Sequence, residues 1–238
     1  MALHLPSGRP TIAEHRAGGG RHLDRRAFLG LGAAGLAAAG LAGCSLGKAS
    51  APDTSKEAPV QGDWGGDLIE PGLEKPDVTL TTMDGEPFPF REATEGQLAI
   101  LFFGYTSCPD ICPIYLNTLA KSLETLGTGP GSDPMVLFVG VDVARDTPER
   151  LREYLGAIDG SFIGLTGPES VIADANEQML LPPITIEEPD ENGDYLVGHY
   201  GKAFPFTADG LAHRSYGYDV RQQQWVKDLP RLAEGEYR

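Results

Sequence analysis

The sequence has few cysteines and few basic residues. Only three cysteines, Cys44, Cys108 and Cys112, occur in 238 residues, so a fold held together by several disulfides is excluded. The chain has 19 lysines and arginines against 34 aspartates and glutamates, which gives a formal net charge of -15. Because nucleic acids and anionic membrane surfaces are themselves negatively charged, neither is expected to be the principal ligand.

A hydrophobic run long enough to cross a membrane comfortably is also missing near the N-terminus. The apolar run from Ala27 to Ala42 is short and rich in small residues, and it is preceded by four arginines: Arg16, Arg21, Arg25 and Arg26. This pattern is typical of an export signal. Retention of the run as a single anchor helix remains the alternative.

Two short motifs refine the export prediction. The segment Asp24-Arg25-Arg26-Ala27-Phe28-Leu29 resembles the twin-arginine motif, which directs the export of a folded protein. The segment Leu41-Ala42-Gly43-Cys44 resembles a bacterial lipobox, in which the cysteine receives a lipid and becomes the first mature residue. We therefore predict an export signal at residues 1-43 and a lipid anchor on Cys44. The mature protein would be a lipoprotein on the outer face of the bacterial cytoplasmic membrane.

The rest of the chain divides into a tether and one domain. Residues 44-63 are small, polar and proline-containing, which is typical of a flexible tether. Residues 64-238 show no internal repeat and are expected to form one α/β domain with a sizeable core. Removal of the signal leaves only His199 and His213, of five histidines, as candidate metal ligands.

The two remaining cysteines lie between a predicted strand and a predicted helix. The run from Gln97 to Phe103 is apolar and closed by Gly104, as in a buried strand, and leucines then recur at helical spacing from Leu116 to Leu126. Cys112 lies at the start of this helix, where free backbone N–H groups favour a thiolate, so we predict a lowered pKa for Cys112. Cys108 lies one turn earlier. The spacing allows either a disulfide or one soft metal ion, and leaves both open.

Strands and helices alternate along the rest of the domain. A hairpin is predicted at residues 78-90, and its prolines place it at a sheet edge. Strand, helix and strand in succession imply parallel strands joined by crossovers, and a helix that starts at a cysteine pair suggests a thioredoxin-like sheet. The predicted strands are 135-141, 162-166, 200-206 and 211-217, the predicted helices are 147-156, 168-179 and 220-233, and an acidic loop is predicted at 187-194.

The cysteine segment resembles the signature of a known family. Gly104-Tyr105-Thr106-Ser107-Cys108-Pro109-Asp110-Ile111-Cys112-Pro113 is similar to the double Cys-Pro element of the SCO/SenC family, thioredoxin-fold copper metallochaperones on the outer face of energy-transducing membranes. The resemblance extends, in the family's order, to four further segments: residues 78-85, Val141-Asp142 with residues 145-149, residues 164-167 and residues 195-199. It implies a central mixed β-sheet flanked by helices, with an N-terminal hairpin extension. It also implies that Cys108, Cys112 and His199 bind copper.

Two departures from the family pattern lie close to these residues. Val143-Ala144 replaces part of an Asp-Pro element before Arg145. Gly198 stands where the family usually has an aspartate before the histidine, and Tyr200 stands where it has serine or threonine. Any role that this aspartate plays beside the copper ligands in the family therefore does not carry over to Gly198.

The resemblance implies a membrane-tethered copper-binding metallochaperone that assists assembly of the binuclear copper centre of cytochrome c oxidase. Two thiolates and an imidazole suit Cu(I) and can also hold Cu(II). The implied partners are the copper-bearing subunit of the oxidase, a copper donor protein, a thiol reductant and, through the lipid, the membrane. Two alternatives use the same residues: a thiol-disulfide oxidoreductase or peroxide-reducing enzyme with Cys108 and Cys112 as its redox pair, and a redox or copper sensor.

Several other residues that could bind a metal ion are expected to have structural or surface positions instead. His213, next to Arg214 in a predicted strand, is expected at the surface. Asp110 is expected to be a solvated loop carboxylate. Asp142 and Asp146 are candidates for a carboxylate pair, although Asp146 is expected to help fix the start of the following helix. Three methionines are expected in the core rather than as thioether ligands: Met83, Met135 and Met179.

Overall fold

The computed structural model describes residues 62-238 of the chain. These residues form ten strands and five helices. The strands are β1 (Asp67–Glu74), β2 (Thr79–Thr82), β3 (Pro87–Pro89), β4 (Ala99–Gly104), β5 (Met135–Gly140), β6 (Ile163–Thr166), β7 (Thr185–Ile186), β8 (Val197–Gly198), β9 (Lys202–Phe206) and β10 (Leu211–Gly217). The helices are α1 (Phe90–Ala93), α2 (Ile111–Leu126), α3 (Pro148–Gly156), α4 (Glu169–Gln178) and α5 (Gln222–Ala233).

Eight of these strands form one mixed sheet in the order β1-β10-β9-β4-β5-β6-β2-β3. Strands β4, β5 and β6 run parallel to one another, as the alternation of strands and helices predicts. Strand β9 runs antiparallel to β4 on its other side. The two remaining strands, β7 and β8, pair separately as a small hairpin. The prediction of an α/β domain with a central mixed sheet is confirmed.

The central strands are buried on both faces, which explains why their sequences are apolar throughout. Every residue of β4 is buried. Its side chains alternate between two core clusters, because successive residues of a strand point to opposite faces. Leu101 and Phe103 pack on one face of the sheet, whereas Ile100 and Phe102 pack on the other, beneath α2 and α5.

The carboxyl end of β4 is tightly packed, and this end carries the cysteine segment. A Cβ atom on Gly104 would lie 2.6 Å from the ring of Phe138 in β5, so glycine is required for this close approach. Pairing of Gly104 with Gly140 brings both strands to an end at the same edge of the sheet. The loops that follow β4 and β5 therefore lie side by side.

The predicted edge hairpin is present, but strand β1 was not predicted. Strands β2 and β3 pair antiparallel, and β3 forms one edge of the sheet. The opposite edge is β1, which pairs with β10 through a register irregularity between Leu68 and Leu73. Pro71 and Gly72 lie within this irregular part, and both residues are poor strand formers. Their presence hides β1 from a search for regular strand patterns.

The predictions for the N-terminus concern residues outside the described part of the chain. The export signal at 1-43, Cys44 and most of the tether at 44-63 belong to that region. Within residues 62-238, none of the helices combines the length and the apolar character that a bilayer crossing requires.

Candidate metal centre

The structure brings Cys108, Cys112 and His199 together at the carboxyl edge of the sheet. Cys108 lies in the loop after β4, Cys112 lies in the first turn of α2, and His199 directly follows β8. The Sγ atom of Cys112 is 3.7 Å from Nε2 of His199, and one ligand atom from each of the three residues lies within 4.8 Å of the other two. Both cysteines are free thiols. The fold thus brings Cys112 and His199 together although 87 positions separate them in the sequence.

The helix N-terminus acts on Cys108 and not on Cys112. The backbone N–H of Cys112 donates to Sγ of Cys108 at 3.5 Å. Hydrogen bonds from the Cys112 side chain and backbone, opposed by burial, lower the pKa of the Cys108 thiol to about 4. The hydrogen bond to Cys108, together with burial, raises the pKa of the Cys112 thiol. The predicted lowered pKa for Cys112 is therefore wrong, because its sulfur donates to the anion that the helix start stabilises.

Two aromatic rings contact the imidazole of His199. Its ring meets Phe102 and Tyr105 edge to face, with centroid distances of 6.1 Å and 5.7 Å. The side chain is half-buried. Its Nδ1 atom is buried and has no hydrogen-bond partner among residues 62-238, so the described residues leave Nε2 as the nitrogen directed at the sulfurs.

The glycine that replaces the family's aspartate also has a packing reason. A Cβ atom on Gly198 would lie 2.4 Å from Oγ1 of Thr185 in β7. Real Cβ atoms do not approach other atoms so closely, so any side chain at position 198 requires the Thr185 hydroxyl to rotate away or β7 to shift. The short β7–β8 pairing thus favours glycine immediately before His199.

Asp146 supports the cysteine loop rather than the following helix. Its Oδ1 accepts hydrogen bonds from the backbone N and from Oγ1 of Thr106, at 2.8 Å and 2.7 Å. Its Oδ2 accepts from the backbone N of Asp142 at 3.1 Å. The helix start is instead capped by Thr147, whose side chain accepts from the backbone N of Arg150. The prediction that Asp146 fixes that helix start is wrong, because both of its oxygens accept hydrogen bonds from Thr106 and Asp142 in the loops instead.

His213 is buried, contrary to prediction. Strand β10 lies between β1 and β9, so its backbone is paired along both edges, and the C-terminal Tyr237 covers the His213 ring. The His213 ring stacks on Tyr237 at 3.6 Å between centroids, and Nε2 is 2.7 Å from Oδ2 of Asp209. Asp209 lies in the β9–β10 turn, at the end of the sheet opposite to the cysteines. The structure therefore does not bring His213 to the candidate centre.

The predictions for Asp110 and for the three methionines agree with the structure. Asp110 is exposed. Met179 is fully buried, and Met83 and Met135 pack partly buried against the core. Three residues near the centre lie in segments that resemble the family but were given no role from the sequence: Tyr105, Arg145 and Tyr195. Their roles depend on contacts between distant loops, which the sequence alone does not show.

The donor set fits a soft metal ion. Thiolates favour Cu(I), and imidazole accommodates either oxidation state of copper. Cys112 is fully buried, whereas Cys108 and His199 are partly exposed, so an incoming ligand has access to two of the three donors. Within residues 62-238, Cys108, Cys112 and His199 form the one group of at least three acidic, histidine or cysteine residues with metal-binding geometry.

Comparison with known proteins agrees with this geometry. A family model described as SCO1/SenC matches residues 68-234. The chain belongs to the SCO1/SenC family. An SCO2-like protein of Rickettsia conorii is 34% identical over 153 residues, which are 64% of this chain and 74% of that protein.

Solved structures of SCO proteins share the fold. Copper-bound ScoI of Bradyrhizobium japonicum is 27% identical, with a TM-score of 0.58 over 67% of this chain and 99% of that chain. Copper-bound yeast Sco1 is 28% identical, with a TM-score of 0.63 over 70% of this chain and 91% of that chain. The thioredoxin-like fold expected from the resemblance is therefore confirmed.

Proposed function

We propose that this SCO1/SenC protein binds one copper ion through Cys108, Cys112 and His199 and delivers it during assembly of the binuclear copper centre of cytochrome c oxidase. The observation that carries the proposal is the approach of two sulfurs and one imidazole nitrogen to within 4.8 Å of one another. Similarity to copper-bound SCO proteins from a bacterium and from yeast supports the choice of metal.

The arrangement suits a copper carrier because a site with only three protein donors can release its metal to an incoming ligand. Three protein donors leave room for a ligand from the recipient, whereas a closed cage of four thiolates would retain the metal. Oxidation of the two thiols to a disulfide would remove two of the three donors. Copper loading is thereby coupled to the redox state of the cysteine pair.

We further propose that the protein acts at the outer face of the bacterial cytoplasmic membrane, anchored through a lipid on Cys44. The twin-arginine and lipobox motifs support this location. Mass spectrometry of the N-terminal peptide from membrane-purified protein tests it. A chain that begins at a lipid-modified Cys44 supports the lipid anchor, whereas an unmodified Cys44 in a chain that retains residues 27-42 favours the uncleaved anchor helix.

Copper transfer tests the central function. The full chain with Cys44→Ser, which removes the third thiol, is reduced and loaded with one equivalent of Cu(I). It is then mixed with the copper-free soluble domain of the oxidase subunit that carries the binuclear centre. We expect copper to move to that domain, and we expect loading to fail in Cys108→Ser and Cys112→Ser variants. Retention of copper by the loaded protein under these conditions would refute the carrier role.

A thiol-disulfide reductase is the second candidate, and one observation favours it. The pKa of Cys108 is lowered, whereas that of Cys112 is raised, and such asymmetry is suited to a nucleophilic thiolate beside a resolving thiol. His199→Ala separates the two candidates. Loss of Cu(II) binding with intact dithiol reactivity in this variant supports the copper carrier. Unchanged stoichiometric Cu(II) binding counts against the proposed ligands and favours the reductase.

A further inference from the structure

The contacts of the His199 ring do not by themselves explain how its imidazole is oriented toward the sulfurs. Metal-binding histidines commonly owe their orientation to a hydrogen bond from the second ring nitrogen. In His199 that nitrogen is Nδ1, which is buried and has no such bond to any residue in the described range. Its ring contacts with Phe102 and Tyr105 are apolar. The position of His199 is therefore set mainly by the β7–β8 hairpin that carries it.

Three residues, Asp142, Arg145 and Tyr195, hold this hairpin, and we call them the latch. Arg145 donates through Nε to Oδ2 of Asp142 and through Nη2 to the backbone oxygen of Tyr195, the latter at 3.1 Å. The hydroxyl of Tyr195 donates to Oδ1 of Asp142 at 3.0 Å. The guanidinium carbon of Arg145 lies 3.6 Å from the centroid of the Tyr195 ring. Backbone, ring and hydroxyl of Tyr195 are thus all engaged.

The latch is joined to the cysteine loop through Asp146. The backbone N of Asp142 donates to Asp146, which also accepts both hydrogen bonds from Thr106. Thr106 lies two residues before Cys108, and Tyr195 lies four residues before His199. Gly140 makes room for this junction, because a Cβ atom there would lie 2.7 Å from Cβ of Asp146. The β5–α3 loop therefore holds both ligand-bearing segments in one network.

We propose that Arg145 is a positioning residue that places His199 beside the two sulfurs, and that the latch thereby makes the centre able to hold Cu(II) as well as Cu(I). This inference rests on the proposed copper function. Its chemical basis is the difference between the two oxidation states. Two thiolates alone satisfy the soft Cu(I) ion, whereas Cu(II) favours a tetragonal site with nitrogen donors. Displacement of His199 therefore affects Cu(II) selectively.

Arginine is required for this role because it makes three kinds of contact at once. The planar guanidinium donates in two directions and stacks on an aromatic ring, whereas a lysine ammonium is a point charge that cannot reproduce this arrangement. Arg145→Lys keeps the charge beside the buried carboxylate of Asp142 and so avoids an unpaired buried charge. Tyr195→Phe keeps the ring and removes only its hydrogen bond to Asp142. Together these two variants separate latch geometry from charge.

The experiment measures Cu(I) and Cu(II) affinity separately in the full chain with Cys44→Ser. The variants are Arg145→Lys and Tyr195→Phe, and the matched control is Arg150→Lys, which alters an arginine paired with Glu153 on the surface. Loss of an outer support for a ligand commonly lowers metal affinity by 10- to 100-fold. We expect Arg145→Lys to lower Cu(II) affinity by at least about 10-fold and Cu(I) affinity by less than about 3-fold. A smaller loss in the same direction is expected for Tyr195→Phe, and none for Arg150→Lys.

Electron paramagnetic resonance of the Cu(II) forms provides a readout that a general loss of stability would not produce. We expect the coupling from the imidazole nitrogen to weaken in Arg145→Lys and to persist in Arg150→Lys. Equal Cu(II) affinity and unchanged nitrogen coupling in folded Arg145→Lys protein would overturn the inference, as would equal losses for Cu(I) and Cu(II). Failure of the unmodified chain to bind either ion would instead refute the proposed function.

Discussion

The backbone N–H of Cys112 points at the sulfur of Cys108 across 3.5 Å. The start of α2 therefore stabilises a thiolate on the first cysteine, although the second cysteine is the one that belongs to the helix. This relationship makes the two thiols chemically unequal before any metal binds.

Unequal thiols predict unequal alkylation. Because the pKa of Cys108 is lowered to about 4, we expect Cys108 in the reduced protein to react with iodoacetamide at about pH 6, where an ordinary thiol is almost fully protonated. Cys112, whose pKa is raised, should remain largely unmodified. Peptide mass spectrometry after brief labelling identifies the modified residue, with the denatured protein as control. Preferential labelling of Cys112 would contradict this assignment.

The same asymmetry predicts the number of protons released on copper binding. A metal-bound cysteine is a thiolate, so each protonated thiol loses its proton when it binds. Cys108 is already ionised at about pH 8, because that pH lies far above its lowered pKa, whereas Cys112 is protonated. We expect the cysteine pair to release about one proton for each Cu(I) bound. Calorimetry in buffers of different ionisation enthalpy measures this number, and a release of two would show that both thiols are protonated in the free protein.

Two buried tyrosines predict opposite stability changes. The hydroxyl of Tyr115 is buried without a partner in the described residues, so Tyr115→Phe should leave the free energy of unfolding unchanged or raise it. The hydroxyl of Tyr216 donates to Oδ2 of Asp228 at 3.0 Å. Tyr216→Phe removes a donor from this buried carboxylate and should lower the free energy of unfolding by about 1–3 kcal/mol. Urea unfolding of both variants checks the contrast, and equal losses would count against it.

We predict that a side chain added at Gly198 weakens Cu(II) binding through a steric clash. A methyl group at this position would collide with Oγ1 of Thr185. If the Thr185 side chain keeps its position, Gly198→Ala should separate β7 from β8 and displace His199. We expect Cu(II) affinity to fall by about 10-fold or more. The double variant Gly198→Ala, Thr185→Ala removes the colliding atom and should recover much of the affinity.

The control for this variant is Gly160→Ala, because a Cβ atom on Gly160 would meet no atom within 4 Å. It should bind Cu(II) like the unmodified chain. If Gly198→Ala bound Cu(II) equally well, the close β7–β8 contact would have no bearing on His199.

Much of the fold is readable from the sequence because apolar runs record burial on both faces of a central strand. Residues 97-103 and 135-141 predict β4 and β5 for this reason, and Thr147 followed by Pro148 marks the start of α3. The failures have local causes. Pro71 and Gly72 break the pattern of β1, and β7 and β8 have only two residues each.

The candidate site was only partly predictable. The two cysteines and His199 were named through a family resemblance, and the structure brings them together. The direction of the pKa shifts was not predictable, because it depends on which sulfur receives the Cys112 N–H. The role of Arg145 depends on contacts with a hairpin 50 residues away, and no local pattern encodes such a contact. His213 was misplaced because its neighbours in the sequence do not reveal that Tyr237, 24 residues later, stacks on its ring.

The most direct test of the proposed copper site is pulsed electron paramagnetic resonance of the Cu(II)-loaded chain with Cys44→Ser. We predict coupling from one imidazole nitrogen, and we predict that His199→Ala abolishes this coupling while His213→Ala leaves it intact. An imidazole coupling that survives in His199→Ala, or the absence of any such coupling in the unmodified site, would contradict a centre formed by Cys108, Cys112 and His199.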